Sequence, residues 1–123
     1  DGSGISHYNL VSVEAIIQLL VGMNQRTDLF PLYFESLPIA GIDGTISRRM
    51  VDTPAEGNLR AKTGTISGVS ALSGYVRTKD GELLAFSIMM QNFVNSSDRY
   101  RDIQDRIGAI LAGFSRSIPF ASH

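Results

Sequence analysis

The run Arg60-Ala61-Lys62-Thr63-Gly64-Thr65 brings together the groups of this chain best suited to chemistry. Read as a strand, it puts Leu59, Ala61 and Thr63 on one side and Arg60 and Lys62 on the other, while Gly64 leaves the backbone open. A glycine inside a strand weakens it and often marks close approach by a ligand or another backbone. Lys62 supplies positive charge there, and Thr63 and Thr65 supply hydroxyls able to donate to a carboxylate. The residues alone therefore describe a strand suited to an extended, anionic ligand.

Flanking elements must hold this strand in place. Asp1 to Asn9 reads as a loop, with Gly2 and Gly4 giving turn freedom and Asp1, Ser3, Ser6 and Asn9 able to bond its backbone. Ser12 reads as a helix N-cap, with Glu14 in the first turn. Val13, Ile16, Ile17 and Leu20 then recur at helical spacing to about Asn24 and form an apolar face for packing on a sheet. Leu29 to Ser36 reads as a short aromatic-rich helix that accepts Pro31 in its first turn and ends at Pro38. Ile39 to Asn58 is turn-rich, with a helical turn expected around Ser47 to Met50 and with Arg48 and Arg49 as a solvated basic pair.

After the central strand, Ser67-Gly68 makes a break and Ala71 to Thr78 forms a second strand. Lys79-Asp80-Gly81 is a hairpin turn, and Leu83 to Asn92 is a third strand, apolar on both faces as for burial between layers. Ser96 caps a last helix, with Asp98 in its first turn and Tyr100, Ile103, Ile107, Ile110, Leu111 and Phe114 at spacings that place them against the sheet. Arg99, Arg101, Asp102, Asp105 and Arg106 cover its outer side, and Ser115 to His123 reads as a fraying tail. The expected fold class is α+β, an antiparallel sheet packed by helices.

Composition excludes several functions. The 123 residues suffice for one domain, and a net charge of −1 gives no electrostatic case for nucleic acid. Cysteine is absent, which removes disulfides and thiolate metal sites, and the only histidines are His7 and His123, a poor basis for a metal site. No cofactor is implied. No apolar run approaches the roughly 20 residues that span a bilayer. A phosphate-binding Walker loop needs glycines where this chain has Ala61 and Glu56.

Lys-Thr-Gly is a motif of penicillin-binding proteins and class A β-lactamases. Here it stands inside the block Glu56 to Tyr75, with Asp1-Gly2-Ser3-Gly4-Ile5-Ser6 and Ser36-Leu37-Pro38-Ile39-Ala40-Gly41 upstream. Together these resemble the C-terminal part of the class C low-molecular-mass penicillin-binding proteins, serine-type D-alanyl-D-alanine carboxypeptidases that also act as endopeptidases. The resemblance extends to about Asn92. It implies a penicillin-binding, β-lactamase-like transpeptidase domain, with residues 1–123 forming the C-terminal part of one catalytic domain. It further implies a bacterial, extracytoplasmic enzyme whose partners are peptidoglycan stem peptides and β-lactams.

In that family a substrate strand pairs alongside Lys62 to Ile66, so the resemblance assigns substrate binding to Thr63, Gly64, Thr65 and Ile66 and a catalytic role to Lys62. It also gives the backbone N–H of Thr65 a part in the oxyanion hole. His7 stands where the family often carries arginine, near the pocket for the distal end of the stem-peptide side chain.

The family's other two elements are missing. The two lysines, Lys62 and Lys79, are preceded three places earlier by Leu59 and Val76, so there is no Ser-x-x-Lys. There is no Ser-x-Asn either, since His7, Gly22, Glu56, Met90 and Phe93 stand two places before the asparagines. With Asp1 rather than an initiator Met, and no signal segment, the chain is expected to be a fragment whose partner is the rest of its own enzyme, which carries the nucleophile. Alone it should be inactive. The alternatives are a non-catalytic module that binds peptides or cell wall, and a self-folding proteolytic remnant with an exposed strand edge.

Overall fold

The computed structural model describes the backbone of residues 2–66, 68–91 and 97–116, and the side chains of these except 2–12, 65, 66, 97 and 98. Three strands, β1 (Arg60–Ile66), β2 (Val69–Arg77) and β3 (Leu83–Gln91), form an antiparallel sheet in the order β1-β2-β3. Consecutive strands are neighbours because short turns join them: Gly68 takes φ +78 between the first two and Gly81 takes φ +86 in the hairpin. The hairpin closes with the Thr78 N–H donating to the Glu82 carbonyl at 2.8 Å. β2 begins two residues earlier than its expected start at Ala71, pairing Val69 with Ile66 and Ser70 with Thr65.

Helices lie on both faces of the sheet. One face carries Leu59, Ala61, Leu72, Val76 and Phe86 in the main core, with Leu84 and Ile88 against it. It is closed by Ile46, Met50 and Ala55 from the preceding segment and by Ala112 of α3 (Ser97–Gly113). The opposite face is covered by α1 (Gly2–Asn24) and α2 (Phe30–Ser36), around Leu20, Leu37 and Tyr75. β3 contributes to both, as its two-faced apolar run predicts. Tyr75 is the keystone of the second core: the Phe30 ring meets it edge-on at 5.3 Å, and its hydroxyl donates to the Leu20 carbonyl at 2.6 Å. Each such ring pair adds about 1 kcal/mol beyond burial.

Four local expectations are corrected. α1 reaches back to Gly2, so the expected loop is helical from Gly2 to Asn9, and Ser12 lies inside the helix rather than at its cap. Extending a helix that is already nucleated and packed adds one backbone bond per residue, enough to override two early glycines. The helical turn of the 39–58 segment is a 3-10 turn at Gly44–Ile46, not at Ser47 to Met50. Met50 instead takes φ +60, which a right-handed helix excludes, while Ile46 is fully buried and anchors the turn.

On α3, Tyr100 and Leu111 lie inward as expected, but Ile103 and Ile110 face outward, and Gln104, Gly108 and Ala112 complete the buried stripe. Gly108 sets this rotation, because a Cβ there would sit 2.9 Å from Leu59 Cδ1 and 3.0 Å from Met50 Sδ. The start of the expected tail is also held: the Ser115 hydroxyl and Arg116 N–H both donate to the Asp80 carboxylate, and the Lys79 N–H donates to the Phe114 carbonyl at 2.9 Å. Ser115 and Arg116 hold the Asp80 carboxyl below its ordinary range. The proposed cap at Ser96, together with Asn92, Ser67 and residues 117–123, lies outside the described residues.

Candidate functional site

β1 is fixed at its start and open at its end. Leu59 and Ala61 are fully buried against the α3-side core. On the other face the Arg60 guanidinium lies 4.7 Å above the Phe34 ring and donates to the Phe34 carbonyl at 3.3 Å. Beyond that point Lys62, Thr63 and Gly64 are exposed. The alternation expected from the sequence therefore holds, with a packed first half presenting an accessible second half.

The outer edge follows the same division. The Ala40 N–H donates to the Leu59 carbonyl at 2.8 Å, the Ala61 N–H donates to the Pro38 carbonyl at 3.0 Å, and Ile39 bridges Arg60. In an antiparallel ladder, alternate residues aim both backbone groups at the same neighbour. Leu59 and Ala61 aim outward, so Thr63 and Thr65 do as well. Among the described residues, the 38–40 segment covers this edge only as far as Ala61. From Thr63 onward it offers a row of backbone donors and acceptors.

Gly64 sharpens the point. It does not need positive φ, and a Cβ built on it would have nothing within 4 Å. Gly74, on the paired strand, is the contrast: its Cβ would collide with the Arg60 carbonyl and lie 2.6 Å from Ala61 Cα, so it is there for the chain's own packing. Nothing among the described residues requires a glycine at 64.

Lys62 projects on the α1 side of the sheet, opposite Ser73, whose hydroxyl bonds that of Ser87 at 2.9 Å. Lys62 itself makes no ion pair among the described residues. The Thr63 hydroxyl donates to the Thr45 hydroxyl at 3.1 Å. Thr45 belongs to a segment that sequence reasoning treats only as turn-rich. The available signal is a hydroxyl residue placed just after the Asp43-Gly44 turn.

That turn is held firmly: Asp43 Oδ1 accepts from the Ile39 N–H at 2.6 Å, and Gly44 takes φ +65 with its α-carbon face pressed on Pro38. Thr65 and Ile66 continue β1, but their side chains lie outside the described residues. His7 is placed in α1 and its side chain is likewise not described, so the structure unites Lys62, Thr63 and Gly64 without relating His7 to them.

Behind the site, Arg49 is not the solvated cation expected. Its Nε donates to Asp105 Oδ1 at 2.8 Å and its Nη2 to Gln104 Oε1 at 3.1 Å. Arg48 remains exposed, as expected. Burial pushes the Asp105 carboxyl above its ordinary value, against the opposing pull of Arg49. Asp105 is therefore also half-buried rather than part of the outer charged side. Among the described residues no group of His, Asp and Glu is arranged to hold a metal ion, and no helix is long and apolar enough to cross a membrane.

The profile of the D-Ala-D-Ala carboxypeptidase 3 (S13) family matches residues 1–113. The chain belongs to this family. It is 44% identical over 120 residues to a D-alanyl-D-alanine carboxypeptidase of Actinomadura sp. (strain R39), a match covering 94% of this chain and 22% of the relative. It is 41% identical over 88 residues to the D-alanyl-D-alanine carboxypeptidase DacB of Haemophilus influenzae, covering 70% of this chain and 18% of that one.

Among solved structures it resembles penicillin-binding protein 4 (dacB) from Haemophilus influenzae, with a TM-score of 0.72 and 26% identity over 83% of this chain and 24% of that one. A second structure of that protein, complexed with a novel β-lactam, matches with a TM-score of 0.70, 28% identity and the same 83% of this chain. This S13 chain thus spans about a fifth to a quarter of the length of the relatives it matches. The mixed fold, the three-stranded antiparallel sheet and the membership inferred from the Lys-Thr-Gly block stand together.

Proposed function

We propose that this chain is the substrate-strand portion of a serine-type D-Ala-D-Ala carboxypeptidase and endopeptidase acting on peptidoglycan stem peptides outside the cytoplasmic membrane. One observation carries the reading. Among the described residues the outer edge of β1 is open from Thr63 onward, beside a Gly64 on which an added Cβ would have nothing within 4 Å. A peptide added there bonds the outward backbone groups of Thr63 and Thr65, a β-augmentation that gives affinity without side-chain identity.

Lys62 supplies positive potential and assists proton movement at the serine contributed by the rest of the enzyme. The serine oxygen attacks the penultimate carbonyl, the peptide C–N bond breaks, the terminal D-Ala leaves with a proton, and water then cleaves the acyl ester. The outward Thr65 N–H serves the oxyanion, the Thr65 hydroxyl meets the terminal carboxylate, and the Thr63 hydroxyl, which donates to Thr45, lies beside it. β-Lactams enter the same edge, since their carboxylate and strained amide imitate the peptide end. The resemblance assigns His7, where the family often carries arginine, to the distal part of the stem peptide.

Intact-mass spectrometry with benzylpenicillin tests this. The full-length protein should gain one penicilloyl group, mapped to a serine outside residues 1–123, and the isolated chain should gain none. No adduct on the full-length protein would instead leave a binding module. An adduct within this chain would overturn the assignment of the nucleophile.

A further inference from the structure

We propose that Thr45 is a further substrate-binding residue, the one whose hydroxyl donates to the carboxylate that ends the substrate; this deepens the carboxypeptidase reading and rests on it. The argument counts protons. A hydroxyl has one proton to donate, and the Thr63 hydroxyl spends its own on Thr45 Oγ1 at 3.1 Å. The proton left for a ligand is that of Thr45. Both residues are exposed, and among the described residues Thr45 makes no other hydrogen bond. Accepting from Thr63 also strengthens Thr45 as a donor, because bonds in a chain polarise one another.

Position supports the same assignment. The segment that carries Thr45 is the one that covers the outer edge of β1 and stops at Ala61. Its 3-10 turn then places the Thr45 hydroxyl against Thr63, where the uncovered edge begins. The turn cannot drift easily: Ile46 is fully buried beneath it, the Gly41 N–H donates to the Ile46 carbonyl at 2.9 Å, and Pro38 packs on Gly44. A ligand that lies along β1 with its anionic end near Thr63 meets a donor already in place.

The test uses the full-length protein and two synthetic peptides ending in D-Ala-D-Ala, one a free acid and one the terminal amide. Wild type should prefer the acid; equal use of both would overturn the carboxylate-binding reading of the whole edge before any variant is made. Given that preference, Thr45→Val should raise KM for the acid about tenfold or more, the effect of losing one bond to a charged group. It should leave KM for the amide unchanged, and Thr45→Ser should restore the acid. An unchanged KM for the acid in Thr45→Val, or equal loss on both peptides, would overturn the role of Thr45. Should Thr45→Val melt early, Thr45→Ala removes the same hydroxyl without the branched side chain and is held to the same outcomes.

Discussion

Gln104, buried in the middle of α3, donates from Nε2 to the Ser70 carbonyl at 3.3 Å, and Ser70 is the register partner of Thr65. The amide oxygen of Gln104 in turn accepts from Arg49 at 3.1 Å. A continuous polar contact thus runs from the loop through α3 to the point where β2 supports the open end of β1. Buried polar groups are costly unless satisfied, so each member holds the next in place. Gln104→Leu removes one acceptor from Arg49 and the Gln104 amide donor from the Ser70 carbonyl. We expect a loss of about 1 to 3 kcal/mol in unfolding free energy, measured by denaturant titration. We also expect slower acylation of the full-length protein by benzylpenicillin. Unchanged acylation would mean that the contact stabilises the fold without positioning the strand.

Gly64 and Gly74 occupy neighbouring strands yet should respond in opposite ways to alanine. Gly74→Ala forces a methyl into the Arg60 carbonyl and towards Ala61 Cα at 2.6 Å, so β1 and β2 must separate. Overpacking of this kind costs about 1 to 3 kcal/mol, read as a drop in melting temperature. Gly64→Ala meets nothing within 4 Å and needs no change of φ, so the melting temperature should hold or rise slightly. Peptide turnover by the full-length protein should nevertheless fall, because the methyl projects on the Lys62 face of the strand, where the catalytic serine is proposed to meet the substrate's reacting carbonyl. Full activity in a folded Gly64→Ala would remove the case for close approach at that residue.

The contrast between these glycines shows what the sequence could disclose. The period of two through Leu59, Ala61 and Thr63 was readable, and with it the strand, its faces and the antiparallel order set by Gly68 and Asp80-Gly81. The Lys-Thr-Gly block gave the family. α3 was harder, because apolar spacing offers two stripes on that helix. The choice between Ile103 with Ile110 and Gln104 with Gly108 is made by how closely Gly108 approaches Leu59 and Met50, a tertiary fact. Arg49 was misread for a related reason: its partners Gln104 and Asp105 lie more than fifty residues away. Thr45 carried no periodic signal at all, since its place beside Thr63 depends on how the 38–46 segment folds back along β1.

Tyr75 gives a pH-dependent prediction. Burial, with a smaller contribution from Tyr33, pushes its hydroxyl from 10 up to about 12. The folded state therefore holds this proton more tightly than the unfolded chain does. The stability it confers is complete below pH about 10 and is lost as pH rises through about 12. In an absorbance titration, one of the four tyrosines should ionise late, and Tyr75→Phe should abolish that late phase. The variant also removes the side-chain donor from the Leu20 carbonyl, so α1 should loosen at neutral pH, visible as faster amide exchange in α1. A late phase that persists in Tyr75→Phe would assign the shifted hydroxyl to another tyrosine.

Thr65 separates backbone from side chain. The outward aim of the Leu59 carbonyl and the Ala61 N–H fixes, by alternation, the outward aim of the Thr65 N–H. That amide is the group proposed to stabilise the oxyanion, and proline is the residue that deletes it. Losing one such donor raises a reaction barrier by about 3 to 4 kcal/mol, roughly two to three orders of magnitude in kcat. Thr65→Val keeps the amide and the branched shape and removes only the hydroxyl, so its effect should be much smaller and fall mainly on KM. Because the amide points away from β2, proline breaks no ladder bond with Ser70, and the sheet should survive the substitution. Acylation of the full-length protein by benzylpenicillin is the measurement. Rates for Thr65→Pro and Thr65→Val that fall together would remove the amide from the oxyanion hole, and a rate for Thr65→Pro far below that for Thr65→Val, with melting temperatures matched, would place it there.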